Sequence, residues 1–261
     1  MSMNKLLIAK IGGNIVSNPE VLNEFLEDFA AYEGPKILVH GGGKSATQLA
    51  DKLGVKTEMI DGRRITSAAS LDIVVMTYAG LLNKTIVAGL QKQDCNALGL
   101  TGADANVIVA EKRPVKFVDY GFVGDVVTVN GETIHNFIAN GITPVFCALT
   151  HDQNGQMLNT NADTIASQIA IAMSDFYEVS LYYCFELKGV LKDINDKDSV
   201  IEHITLDYYQ ELRDQEIIAD GMLPKLHNCF DALQKKVTSV HIANSDYIKN
   251  TNTKHTRLSL A

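Results

Sequence analysis

The sequence has no dense basic run, no long apolar run, no C-x-x-C pair and no internal repeat, and each absence removes a class of function. Lysine and arginine number 23 against 31 aspartates and glutamates, a formal net charge of −8. A surface of that sign repels a polyanion, so no nucleic-acid partner is expected. The first apolar run, Leu6 to Ala9, closes at Lys10 and two glycines, far short of a signal-peptide core or of the roughly 20 residues of a membrane span. The expectation is a cytoplasmic protein with no membrane partner. Cys95, Cys147, Cys184 and Cys229 sit apart in apolar or helical contexts, as reduced core cysteines do. His227 and Cys229 form a lone H-x-C pair without further ligands nearby, and no metal site is predicted.

The remaining composition is that of a globular chain: 261 residues, 46% apolar and 21% charged, enough for one large α/β domain or two small ones. Its most informative stretch runs from Lys36 to Ser45. Ile37, Leu38 and Val39 are an apolar run of strand type, Gly41, Gly42 and Gly43 follow, and Leu49, Leu53 and Val55 then carry a helical stripe. Backbone amides in such a turn can approach an anion closely, and the helix N-terminus adds partial positive charge. A Walker A loop is excluded, because Leu38 stands where its first glycine belongs, and Ala46 replaces the last glycine of a dinucleotide fingerprint. A tight turn without a ligand is the alternative.

Strand and helix patterns alternate along the chain, which predicts an α/β sheet with helices on both faces. Lys5 to Ile11 reads as a buried strand containing Lys10, either a lysine snorkelling at the strand exit or a cation placed beside Gly12 and Gly13. Asp61 to Thr66 reads as a turn with Arg63 and Arg64, either solvated or a bidentate carboxylate clamp. Thr66 and Ser67 are candidate caps for a long helix from about Ser67 to Gln93. A small hairpin is expected within Val115 to Val129, and another with its tip at Asn154-Gly155. Asn159, Asn161 and Asp163 precede a helix from Thr164 to Met173, either as caps alone or with Asp163 also holding a lysine. Ile204 to Gln215 reads as a helix, Ile217 to Lys225 as a loop, and the tail from Asn250 shows no periodicity.

K-I-G-G (10–13), H-G-G-G (40–43), G-R-R-I-T (62–66), N-T-N-A-D (159–163), G-V-L (189–191) and D-G-M-L-P-K (220–225) occur in an order and spacing that resembles the amino acid kinase family. Within it, the closest resemblance is to members that phosphorylate an N-acylated glutamate. The resemblance implies a three-layer αβα sandwich around an open, mainly parallel, roughly eight-stranded sheet. It implies one domain over 1–261, with an N-terminal lobe (1–176) for the acyl amino acid and dimerisation and a C-terminal lobe (177–261) for ATP. The implied reaction is ATP-dependent phosphorylation of the side-chain carboxylate of N-acetyl-L-glutamate in arginine biosynthesis, with Mg²⁺ carried by the nucleotide. Lys10 and Lys225 would flank the transferring phosphoryl group and Asp163 would orient both. Gly12, Gly42 and Gly43 would offer amides, Arg64 would grip the substrate α-carboxylate, and Asn159 would contact its amide region. Gly12 and Gly13, Glu186, Leu187, Lys188, Gly189, Val190 and Leu191, with Ile217, Ile218 and Ala219, would line the nucleotide site.

The chain departs from the family pattern at Phe185-Glu186, where relatives have a small residue and Asp, at Arg63, where they have a leucine-like residue, and in lacking a glycine-containing C-terminal ending. Arg63 could read an extra carboxylate, as in N-succinyl-L-glutamate, or be merely exposed. The first strand begins at about Lys5, so the extra N-terminal helix of arginine-inhibited hexameric relatives is expected to be missing. A homodimer through the helix Ser67 to Gln93 follows. Carbamate, glutamate 5-, aspartate and uridylate kinases are the nearest rivals on the fold, and a catalytically dead ligand-sensing module is the rival of another class.

Overall fold

A computed structural model describes residues 3–60, 63–193, 195–215, 217–218 and 222–261. In chain order it holds β1 (Lys5–Ile11), α1 (Gly13–Val16), α2 (Pro19–Ala31), β2 (Lys36–His40), α3 (Gly43–Lys52), β3 (Glu58–Ile60), β4 (Arg63–Ile65), α4 (Ala68–Val75) and α5 (Asn83–Gln91). β5 (Ala97–Leu100), β6 (Ile108–Lys112), β7 (Gly124–Val129), α6 (Gly131–Ala139), β8 (Thr143–Cys147), β9 (Leu149–His151), β10 (Met157–Asn159) and α7 (Ala162–Met173) follow. The chain ends with β11 (Glu178–Phe185), β12 (His203–Thr205), α8 (Leu206–Asp214), α9 (Leu223–Gln234), β13 (Ser239–Asn244) and β14 (Thr256–Ser259).

The main sheet has eight strands in the order β12-β14-β13-β11-β1-β2-β8-β5. From β13 to β5 every pairing is parallel, whereas β14 runs antiparallel to β13 and carries β12 with it. Side-chain alternation along β1 builds the two faces. Leu6 and Ile8 enter a core covered by α6, α7, α8 and α9, while Leu7, Ala9 and Ile11 enter one covered by α2 to α5. Ile165, Ile169 and Met173 of α7 are fully buried, each contributing roughly 1.5–3 kcal/mol. This is the expected αβα sandwich. From β1 the chain moves to β2 on one side and reaches β11 on the other, so the carboxyl ends of these strands flank a topological switch point, where open α/β sheets receive ligands.

Local chemistry starts the helices. Asn18 accepts from the amides of Glu20 and Val21 ahead of Pro19, whose missing N–H costs nothing in a first turn. Ser67, not Thr66, caps α4 through the Ser70 amide. The long helix expected from Ser67 is there, but residues Met76–Leu82 between α4 and α5 are π-helical. By length and composition alone the run Ala68–Gln91 could cross a bilayer. Its buried Ser70, Thr77, Tyr78 and Asn83 pack it instead against the sandwich as a core helix.

Several elements differ from the sequence expectation. The hairpin at 115–129 is instead made by β6 and β7, with 113–123 as its connection, whereas β9 and β10 form the expected hairpin around Asn154-Gly155. Arg63 and Arg64 lie on a strand, β4, paired with β3. The stretch from Ile204 is strand before it is helix. The tail carries β14, whose four residues are too few to show a period and are fixed by pairing with β13 and β12.

Candidate active site

Alternation along β1 puts Lys10 on the face of Leu6 and Ile8, toward α7. There Lys10 Nζ lies 2.7 Å from Asp163 Oδ1, and Lys225 Nζ, from the first turn of α9, donates to Asp163 Oδ2 at 2.7 Å. The side chains of Lys10, Asp163 and Lys225 are 12, 16 and 14% exposed, so this is one nearly buried triad with a narrow open side. Asp163 does not cap α7. Asn161 does, accepting from the amides of Asp163 and Thr164, which leaves the Asp163 carboxylate for the lysines. The Tyr183 hydroxyl donates to the Asp163 carbonyl at 3.1 Å, and its ring lies 5.1 Å from Lys225 Nζ. Burial alone would raise the Asp163 carboxyl, but the two ammonium groups overcome it and hold it well below the usual range. Burial pushes the Lys10 ammonium down, Asp163 opposes this and Lys225 adds to it.

The glycine turns converge beside the triad. A Cβ on Gly13 would lie 3.8 Å from Cβ of Lys44, and one on Gly41 3.8 Å from Cβ of Ala162. A side chain at 42 would force its neighbours to move, because a Cβ there would stand 2.5 Å from Leu82 Cδ1 and 2.7 Å from the Tyr78 ring. The π-helical segment supplies both neighbours. The Gly12 amide donates to the Cys184 carbonyl at 3.3 Å and so extends the sheet. Among the described residues no hydrogen bond takes the amides of Gly13, Gly42 or Gly43, which leaves those three for a ligand.

Arg64 is buried and braces the turn. Nη2 donates to the Gly43 carbonyl (3.0 Å) and Thr47 Oγ1 (2.7 Å), and Nη1 to Thr57 Oγ1 (3.1 Å). Asn159 stands near the same strand, donating from Nδ2 to Thr66 Oγ1 at 3.0 Å. Arg63 points elsewhere, as its alternation on β4 requires. It lines a separate cleft of about 430 Å³ with Arg113, Lys116 and Tyr120. Thr47, Thr57 and Tyr78 touch these residues and were missed by sequence reasoning, and Thr66, the last residue of the G-R-R-I-T motif, was read only as a cap. Of the three missed, only Thr47 left a signal, one helical turn after Gly43.

The proposed nucleotide segment divides in two. Glu186 and Lys188 are exposed, and Lys188 pairs with Asp198 at 2.8 Å. Gly189, Val190 and Leu191 are buried beneath Thr256, whose Oγ1 accepts from the Val190 amide (2.8 Å) and donates to the Ile201 carbonyl (2.6 Å). A Cβ on Gly189 would reach Thr256 Oγ1 at 2.5 Å, so only glycine fits. Leu187 is half-buried, Ile217 is exposed and Ile218 is buried; Ala219, with Gly62, Asp220 and Gly221 of the motifs, lies outside the described residues. All four cysteines are buried and unpaired.

Residues 5–244 match the model of the amino acid kinase family, and the chain belongs to that family. The chain is 56% identical to the acetylglutamate kinase of Cytophaga hutchinsonii over 94% of its own length and 93% of that protein. It is 54% identical to that of Bacteroides thetaiotaomicron (94% and 95%) and 36% identical to that of Methanopyrus kandleri (84% and 87%). Among solved structures, smu.665 from Streptococcus mutans aligns with a TM-score of 0.79 at 27% identity over 98% of this chain and 99% of that one. Carbamate kinase from Giardia lamblia bound to AMP-PNP aligns over 100% of both chains with a TM-score of 0.70 at 15% identity, a likeness of fold.

Proposed function

We propose that this chain transfers the γ-phosphoryl group of ATP to the side-chain carboxylate of N-acetyl-L-glutamate, forming an acyl phosphate in arginine biosynthesis. The observation that carries the reading is the Lys10–Asp163–Lys225 triad beside three amides without protein partners, in a chain more than half identical to acetylglutamate kinases. The acceptor carboxylate is already ionised near neutral pH and needs no general base. The obstacle is electrostatic, since one anion must approach another. Lys10 and Lys225 flank the transferring group and stabilise its charge, Asp163 fixes both ammonium groups, and the amides of Gly42 and Gly43 complete the cradle. Arg64 holds the substrate α-carboxylate and Asn159 its amide. The nucleotide lies along Gly13, Glu186 to Lys188, Ile217 and Ile218, with the backbone of Gly189 to Leu191 as its floor.

Both Asp163 oxygens are engaged by ammonium groups, and Mg²⁺ carried in with ATP would supply further neutralisation of the phosphate charge. The N-terminal lobe (1–176) takes the acyl amino acid and the C-terminal lobe (177–261) the nucleotide. Met76 and Leu81, 52 and 63% exposed on the long helix, with Leu98 on the edge strand β5, form the homodimer face, and the enzyme works in the cytoplasm. The test is hydroxylamine trapping of acyl phosphate with N-acetyl-L-glutamate, N-succinyl-L-glutamate, glutamate and aspartate. Preference for the acetyl compound supports the reading; preference for the succinyl compound would overturn the acetyl specificity, and no product with any of them would overturn the reading whole.

A further inference from the structure

Beneath the glycine turn lies a buried polar network that phosphoryl transfer as described does not use. His40, the last residue of β2, is wholly buried, with Nδ1 2.8 Å from the Gly41 carbonyl oxygen and Nε2 3.1 Å from Asn83 Nδ2. A carbonyl only accepts, so Nδ1 carries the hydrogen and Nε2 is the acceptor. Asn83, equally buried, gives its other amide hydrogen to the Val145 carbonyl at 3.0 Å, and its Oδ1 accepts from Lys84 Nζ at 3.2 Å. A reversed amide would set Oδ1 against the Val145 carbonyl and the NH₂ group against an ammonium. One orientation therefore satisfies every atom, and it fixes the histidine tautomer.

The consequence falls on a peptide plane. In a trans peptide the carbonyl and the following N–H point in opposite directions. Pinning the Gly41 oxygen toward the buried ring thus turns the Gly42 N–H away from it, and that amide has no protein partner among the described residues. A Gly-Gly peptide is the one most free to rotate, since neither side carries a Cβ. We propose that His40, oriented by Asn83, is a positioning residue that locks the Gly41–Gly42 peptide so that the Gly42 amide faces the transferring phosphoryl group. This rests on the reading of the glycine turn as the phosphoryl cradle.

Asn and Gln separate the two ring nitrogens: Asn Nδ2 stands near the place of Nδ1 and Gln reaches only toward Nε2. His40→Asn keeps a donor for Gly41, and kcat should stay within about 3-fold of wild type. His40→Gln loses that donor, and kcat should fall by about 30- to 100-fold with KM for both substrates within about 3-fold, toward the range seen when one such donor is removed. Both variants lose ring volume, so their Tm values should drop together while kcat does not. Equal kcat in the two His40 variants would overturn the proposal. In ¹⁵N-histidine spectra of the wild type a neutral ring protonated at Nδ1 must be present; finding every neutral ring protonated at Nε2 would overturn it without any variant. An inactive wild type would instead fail the functional reading itself.

Discussion

Asp163→Asn removes one negative charge and changes almost no volume, so its effect can be worked from the geometry. Each ammonium lies 2.7 Å from a carboxylate oxygen in a site where all three side chains are at most 16% exposed. At an effective dielectric of about 20, charge centres about 4 Å apart attract by about 4 kcal/mol, so the two pairs supply about 8 kcal/mol. The carboxylate's desolvation, several kcal/mol, is recovered when the charge goes, leaving a net loss of about 3–5 kcal/mol of folding stability. The two ammonium groups then repel each other without a counterion. Burial and that repulsion both act to lower the Lys10 pKa, and the main group that opposed them is gone. Lys10 then holds its proton less firmly, and turnover should fall by about 10²–10³-fold, the cost of one lost transition-state donor. Because the weakened species is an ammonium, residual activity should rise as pH is lowered. Urea unfolding and hydroxylamine-trapped product measured from pH 6 to 9 read both effects. A variant with wild-type kcat, or one whose loss lies only in KM and does not vary with pH, would refute the role given to the triad. Adding Lys10→Met to Asp163→Asn should recover 1–3 kcal/mol relative to the sum of the single changes, as coupled neighbours do.

Lys225→Met should leave acylglutamate binding measurable by calorimetry while turnover falls by about 10²–10⁴-fold; unchanged turnover removes the lysine from the chemistry. Gly42→Ala forces a methyl to within 2.5 Å of Leu82 and 2.7 Å of Tyr78, and should cost about 1–3 kcal/mol, seen as a lower denaturation midpoint. Burial pushes the His40 and His241 imidazoles down to about 4, with His255 and Arg257 adding to the effect at His241. The unfolded chain takes up protons at these histidines below about pH 6.5 and the folded chain does not. Stability should therefore be full above pH 6.5 and fall toward pH 4 by up to about 3 kcal/mol per histidine. Asp163, titrating well below the usual range, keeps its contribution through that window. Urea midpoints that stay flat from pH 7 to 5 would refute this.

The sequence determined the alternation of elements and the identity of the chemical groups, because both are local. Strand and helix periods are written in consecutive residues, and a lysine in the apolar run of β1, or three glycines after β2, is conspicuous against its neighbours. It also determined that Lys10 and Lys225 are cations of one kind of site, through motifs spread along the chain. Their meeting on Asp163 was decided only in three dimensions: β1 alternation chose the face, and the crossover from β10 through α7 brought the carboxylate to it. Capping by Asn161 rather than Asp163, the bracing of Gly43 by Arg64, and the departure of Arg63 to another cleft are choices among chemically equal partners, settled by which atoms the fold brings within 3 Å. β14 and the burial of Gly189 to Leu191 under Thr256 were illegible for the same reason. A four-residue strand at a sheet edge draws its stability from pairing with distant segments, and no period within it records that.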